Sequence, residues 1–240
     1  MNRSACLEAG EMISIQDLTF TYAGGGFGLR IKELSISQGE QVAVIGPSGS
    51  GKSTLLHLIA GLLFTASGSV DVFGKSLKNT PERVVRRLRA QQLGFIFQDF
   101  GLLEYLTARA NILYPYAVCS VLKRTPDTDA YLNELAKTAG IADLLHRHPK
   151  ALSQGEKQRV AICRALLHRP KLILADEATG NLDPDNKTII LDLIQEIAAE
   201  TGATVLAVTH DHELLPRFKR VIDFRDLRAG AETQNVKVSA

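Results

Sequence analysis

Nine residues in a row carry the first chemistry: Gly46-Pro47-Ser48-Gly49-Ser50-Gly51-Lys52-Ser53-Thr54. Their fixed positions fit the pattern Gly-x-x-x-x-Gly-Lys-Ser/Thr. Glycines at this spacing let successive backbone N–H groups turn inward onto a chain of phosphates. A helix that starts there adds the positive end of its dipole. Lys52 can reach β- and γ-phosphates as a point charge, Ser53 can offer its hydroxyl to Mg²⁺, and Thr54 can cap the helix and touch the α-phosphate. A second cluster lies far along the chain, where the apolar run 172–175 ends in Asp176 and Glu177. Acids at the carboxyl end of a buried parallel strand face the ligand crevice of an open sheet. Asp176 would hold Mg²⁺, directly or through water, and Glu177 would orient and deprotonate an attacking water. Phosphoryl transfer asks for positioning and charge compensation, which these groups can supply. Taken singly, the first cluster could be a Gly/Ser turn that carries a lysine, and the second a solvated acidic loop. A strand before the loop, a helix after it and both clusters in one chain weigh against those alternatives.

The positioning elements follow from pattern. Residues 41–45 are a short apolar strand leading into the glycine loop, with a helix from 52 to about 63 behind it. Residues 13–22 and 29–37 read as strands separated by a turn at 24–26. Residues 68–73 and 93–97 are further strands, with a basic helix over 81–89 between them. The stretch from about 107 to 150 reads as helical, and a helix over 130–139 stops at Gly140. Ser153 is placed to cap a helix over 154–168, and Glu156 three residues on completes a capping box. Residues 171–175 and 203–209 are buried strands flanking a helix from 183 to about 200. The tail from Arg228 is polar and loose. Buried strands alternating with helices imply an α/β fold with a parallel sheet covered on both faces.

Composition excludes several classes. The 240 residues carry 28 Lys and Arg against 26 Asp and Glu, a net charge of +2. That balance gives no general reason to expect a nucleic acid partner. Cys6, Cys119 and Cys163 are odd in number and widely spaced, with no metal-ligand pattern and no disulfide framework, which suits a reducing cytoplasm. The first eleven residues have no apolar stretch and read as no signal peptide. The longest apolar segment, 55–66, is broken by His57 and falls short of the roughly 20 residues that span a bilayer.

The segment Leu152-Ser153-Gln154-Gly155-Glu156-Lys157-Gln158-Arg159 resembles the signature motif of the ATP-binding cassette family. Phe97-Gln98 resembles its Q-loop, Gly180-Asn181-Leu182-Asp183 its D-loop and Thr209-His210-Asp211 its switch histidine, and Tyr22 stands where the family often places an aromatic against adenine. The elements occur in the family's order over nearly the whole chain. The resemblance implies ATP as substrate, Mg²⁺ as cofactor, and Lys52, Gln98, Glu177 and His210 as the catalytic set. It implies nucleotide contacts from Tyr22, Gly46 to Thr54, Gln98, Ser153, Gly155 and Glu156, and metal contacts from Ser53, Gln98 and Asp176. It also implies a phosphate-loop core with an antiparallel β subdomain and an inserted helical subdomain. Residues 1–240 then form one nucleotide-binding domain: 1–105 and 160–228 the core, about 106–159 the helical part, and 229–240 the tail. The implied partners are a second copy of the chain, head to tail, and a transmembrane permease at the cytoplasmic face of a bacterial inner membrane. Ser153 and the amides after it form an anion-binding helix start that lacks a local anion, and a γ-phosphate on a second subunit would supply one. Two positions depart from the motif: Gln154 stands where the family usually has Gly, and Glu156 where it usually has Gln. Residues 93–103 and 178–183 further resemble the subgroup of lipoprotein-releasing, macrolide-efflux and cell-division cassettes.

Other features have plainer explanations. His146 and His148 lack neighbouring carboxylates, and Arg83, Arg86, Arg87 and Arg89 fit a solvated helix face. The competing readings are a soluble repair or translation ATPase and a mechanotransmission cassette without a transported solute. Only about a hundred residues separate Lys52 from Ser153, with no sustained heptads for a coiled coil, and the chain holds one cassette rather than two.

Overall fold

Short apolar runs rich in Val, Ile, Leu and Ala make the central strands, as at 41–45, 172–176 and 204–208. The computed structural model of the chain describes residues 10–23, 27–65, 67–180, 182 and 184–229. In chain order its elements are β1 (Glu11–Thr21), β2 (Gly28–Ser37), β3 (Gln41–Ile45), α1 (Lys52–Ile59), β4 (Ser67–Val72), β5 (Lys75–Ser76), α2 (Glu82–Gln92), β6 (Leu93–Ile96), α3 (Ala108–Val118) and α4 (Pro126–Thr138). After two 3-10 turns come α5 (Gln154–Leu166), β7 (Leu172–Asp176), α6 (Pro184–Thr201), β8 (Thr204–Val208), a 3-10 helix over His212–Arg217, β9 (Arg220–Asp223) and α7 (Phe224–Ala229).

The strands form two sheets. One is antiparallel, in the order β2-β1-β4-β5; the other is parallel, in the order β6-β7-β8-β3-β9. Side chains alternate between the two faces of a strand, and the parallel sheet uses the alternation to divide two cores. Leu172, Leu174, Leu206 and Val44 face α1 and the antiparallel sheet, whereas Ile173, Ala175, Val205 and Ala43 face α5 and α6. Every residue of β7 and β8 is buried, as expected for strands covered on both sides. Fully burying one Leu contributes about 1.5–3 kcal/mol. Because β6, β7, β8 and β3 run parallel, their carboxyl ends lie along one edge. The glycine loop, Gln98, Glu177 and His210 all follow those ends.

The expected fold class is the one observed, with local differences. α1 ends at Ile59 rather than near residue 63, because Leu62 and Leu63 both turn their N–H back onto the His57 carbonyl, at 2.9 and 3.2 Å. α4 starts at Pro126, four residues before the expected 130. Thr125 caps it: its hydroxyl accepts the Thr128 N–H, and the Thr128 hydroxyl accepts the N–H of Thr125. α2 runs on to Gln92, and α5 stops at Leu166 rather than 168. β9 and α7 were not expected. β9 is a four-residue edge strand paired only with β3, too short to show a period. α7 therefore continues through Arg228 to Ala229, where a loose tail was expected. The turn at 24–26, Cys6 and the rest of residues 1–9, Asn181, Asp183 and the tail beyond residue 229 lie outside the described residues.

Candidate functional site

The glycine loop joins β3 to α1. Gly51 is the N-cap of α1 at φ 109°, with no side-chain cap on the first turn. The backbone angle favours glycine, and a β-carbon on Gly51 would lie 2.6 Å from Cζ of Phe27, whose ring would have to shift. Lys52 is buried, and its ammonium donates to the carbonyls of Gly46 and Pro47 at 2.8 and 2.9 Å. That folds the charge back over the loop whose amides would meet phosphate. The Ser53 hydroxyl donates to Oδ1 of Asp176 at 3.0 Å, although 123 residues separate them. Burial pushes the Asp176 carboxyl up, and the Ser53 bond opposes that shift. A hydroxyl and a carboxylate brought together in this way form a hard oxygen set that suits Mg²⁺.

Glu177 follows β7 with a left-handed backbone, φ 46°. That conformation is unfavourable by roughly 1–3 kcal/mol for a residue with a β-carbon and persists only where its surroundings over-determine it. Here the Glu177 N–H donates to the Val208 carbonyl at 3.0 Å, and its own carbonyl accepts from Gly180 at 2.9 Å. The strained turn delivers the carboxylate to a three-way junction. Gln98, just after β6, donates Nε2 to Oε2 at 3.1 Å, and Nδ1 of His210, just after β8, lies 3.4 Å from Oε1. The ends of three adjacent strands thus meet at one carboxylate. The segment that carries His210 is tied down in turn. Lys187 of α6 pairs with Asp211 at 2.6 Å, which holds the Asp211 carboxyl below the usual range, and Asp211 caps the following 3-10 helix by accepting from Glu213.

Tyr22 stands beside the loop, 41% exposed. Its ring meets Phe20 edge-on at 4.8 Å and Phe27 at 6.2 Å, and its hydroxyl lies 3.1 Å from Oγ1 of Thr54. This corrects one expectation. Thr54 does not cap α1, because Gly51 holds that position and the Thr54 hydroxyl is turned to Tyr22. Tyr22, Phe27, Ser48, Gly49, Gly51, Lys52, Ser53, Thr54, Gln98 and Glu177 line one cleft of about 280 Å³. Sequence reasoning missed Phe27, which lines this cleft, and Lys187, which ties down Asp211 beside His210. The signal for Phe27 lies only in its approach to Gly51, and for Lys187 only in its reach to Asp211.

The signature segment stands apart. The Ser153 hydroxyl accepts the Glu156 N–H at 3.3 Å, and the Glu156 carboxylate accepts the Ser153 N–H at 2.7 Å, the capping box that the sequence implies. That backbone bond holds the Glu156 carboxyl below its usual value. Gly155 is buried against α6: a β-carbon there would lie 3.1 Å from Oδ1 of Asn186, which also accepts from Arg159 at 3.1 Å. Ser153, Gly155 and Glu156 do not line the cleft that holds Lys52 and Glu177.

The model of the ABC transporter family matches residues 29–180. Over 219 residues, 89% of this chain and 95% of the relative, the sequence is 41% identical to the lipoprotein-releasing system ATP-binding protein LolD of Ruegeria sp. (strain TM1040). Among solved structures, the dimeric post-hydrolysis state of the ATP-binding cassette MJ0796, bound to ADP and Pi, aligns with a TM-score of 0.81 and 31% identity, covering 95% of this chain and all of that one. The structure of cbiO1 from Clostridium perfringens, part of the ABC transporter complex cbiONQ, aligns at 0.77 and 27% identity over 90% of this chain and 85% of that one.

Proposed function

This chain belongs to the ABC transporter family, and from that premise we infer how its residues bind and hydrolyse ATP for a membrane partner. The observation that carries the inference is the junction at Glu177, held by Gln98 and His210 beside the Lys52 loop. The loop amides and Lys52 hold the phosphate chain of ATP, and Tyr22 takes the adenine. Glu177 accepts a proton from the attacking water, and Gln98 and His210 fix its carboxylate so that little reorganisation is needed. Ser53 and Asp176 would hold Mg²⁺, which would offset the charge that develops on the phosphates. The amide oxygen of Gln98 would be the third group able to hold that ion, since its Nε2 is the atom that donates to Glu177.

The second group of site residues serves a different nucleotide. Ser153 and the first turn of α5 would meet the γ-phosphate bound by another subunit, so that two chains close head to tail on two ATP molecules. Support comes from the anion-binding geometry of a helix start and from Ser153 not lining its own chain's cleft. The 106–159 helical part would then move as a unit against the core. The permease would dock beside residues 99–106. Within that segment Leu102 packs against the core, Leu103 faces an apolar groove and Tyr105 is 72% exposed. No described helix is long and apolar enough to cross a membrane, so attachment through a permease at the cytoplasmic face is the arrangement proposed. The 41% identity to LolD of Ruegeria sp. supports a lipoprotein-releasing type of partner system. Phosphate release with Mg·ATP tests the reading. The wild-type chain should turn over, Lys52→Ala should lose both nucleotide affinity and turnover, and hydrolysis untouched by Lys52→Ala would refute it.

A further inference from the structure

The His210 side chain is 57% exposed, and among the described residues its polar partner is Oε1 of Glu177, 3.4 Å from Nδ1. So long a contact from so exposed a ring survives only if no stronger acceptor claims the imidazole. The next residue carries such an acceptor: the Asp211 carboxylate, in a side chain only 10% exposed. We propose that Lys187 is a positioning residue for hydrolysis, which occupies the Asp211 carboxylate and so leaves the His210 imidazole to Glu177. The proposal rests on the reading of Glu177 as the base for ATP hydrolysis. It adds a residue that acts through His210 and does not line the nucleotide cleft.

The backbone around His210 is fixed by short-range bonds and by one strand neighbour. The Thr209 N–H donates to the Val44 carbonyl at 3.1 Å, and the Asp211 N–H donates to Oγ1 of Thr209 at 3.0 Å. Oδ1 of Asp211 accepts the Glu213 N–H at 3.0 Å. Those bonds leave Oδ2 of Asp211 to be satisfied. Lys187, 24 residues earlier in the first turn of α6, donates Nζ to it at 2.6 Å. Both carboxylate oxygens then have a donor, and the ammonium balances the charge. The helix that brings the ammonium is itself anchored, because Oδ1 of the preceding Asn186 accepts from Nη1 of Arg159 on α5 at 3.1 Å.

Removing the ammonium would leave Oδ2 as a largely buried, unpaired anion. Such a group is costly and takes the nearest donor or cation. His210 is placed to be that donor, since it and Lys187 are the side chains whose charge acts on the Asp211 carboxylate. An imidazole drawn to Asp211 would leave Glu177 with Gln98 as its remaining side-chain partner. The chemical step would slow, while Lys52, Tyr22 and the rest of the cleft would bind nucleotide as before. A plain tether between α6 and the turn predicts something else: with Lys187 gone, neutralising Asp211 as well would restore nothing.

The test measures turnover of Mg·ATP and ATP affinity on the full chain, with a thermal melt of each variant. Lys187→Met should lower turnover by about tenfold, the effect of one lost charge-assisted contact, and leave ATP affinity within about twofold. Lys187→Arg keeps the cation and should stay near the wild-type rate. Lys187→Met combined with Asp211→Asn should recover most of the loss, because the competitor for His210 has gone together with the ammonium. Lys187→Gln keeps an N–H for Asp211 but no charge; it takes the place of Lys187→Met if that chain does not fold, and should be slowed as well. Wild-type turnover in Lys187→Met, a loss of ATP affinity as large as the loss of turnover, or a folded double variant as slow as the single one would overturn the proposal. Turnover of the wild-type chain in the same samples separates the outcomes: an active wild type without rescue sinks the role of Lys187 alone, and an inactive wild type sinks the hydrolysis reading.

Discussion

The phosphate-loop cleft and the signature helix start are held together in different ways. In the cleft, Ser53 bonds to Asp176 and Glu177 sits between Gln98 and His210, all within one chain. In the signature segment Ser153 and Glu156 bond locally, each capping the other, while Gly155 packs on Asn186 of α6. The first region is assembled by contacts between segments far apart in the chain. The second is a finished helix end with nothing from its own cleft before it. On the function proposed here, the cleft would position a phosphate chain within one subunit, and the signature end would meet one only on a second subunit.

The comparison breaks most sharply at Glu177. Glu177→Gln should keep ATP affinity and slow the chemical step by roughly 10²- to 10⁴-fold, the usual worth of a general base; single-turnover hydrolysis reads this directly, and an unchanged rate would remove Glu177 from its role. Ser153→Arg should lower steady-state hydrolysis by about 10²-fold, comparable to the loss of a preorganised anion donor, while ATP binding to the isolated subunit stays within a few-fold. Lost binding would mean that the two regions are not separate. Tyr22→Ala should weaken ATP affinity by several-fold or more, since stacking on a base contributes about 1–3 kcal/mol. Tyr22→Phe removes only the hydroxyl contact with Thr54 and should be nearly silent in the same titration.

The smallest effect concerns Glu156. Its folded carboxyl is held below the usual 4.5, chiefly by the Ser153 N–H. A depressed carboxyl contributes stability that is present above its unfolded value and lost as pH falls through the folded one. Glu156→Gln should therefore cost under about 1 kcal/mol at neutral pH, the range for an exposed charge at a helix start. Denaturant melts should show wild type and variant converging in acid. A difference that grew in acid would assign Glu156 another partner.

Much of the cleft was legible in sequence because its chemistry depends on fixed local spacing. Lys52 and Ser53 come with their loop, and Asp176 and Glu177 with the end of an apolar strand. The Ser153–Glu156 capping box was legible for the same reason, since its partners lie three residues apart. What escaped depends on long-range approach. Phe27 matters through its closeness to Gly51, and Lys187 through an ion pair with Asp211. The left-handed turn at Glu177 is fixed by the Val208 carbonyl on a neighbouring strand. Thr54 looked like a cap because it sits in a first turn, but the hydroxyl of Tyr22, 32 residues earlier, claims it. β9 is recognisable only once β3 is there to pair with it.

The most direct test of the division between an assembled half-site and one awaiting a partner is the mass of the Glu177→Gln chain in solution, with and without ATP. Sedimentation at high protein concentration should show a monomer without nucleotide and a dimer with ATP, and Glu177→Gln combined with Ser153→Arg should stay monomeric although it still binds ATP. A Glu177→Gln chain that remains monomeric at saturating ATP, or a double variant that dimerises as readily as the single one, would contradict the account.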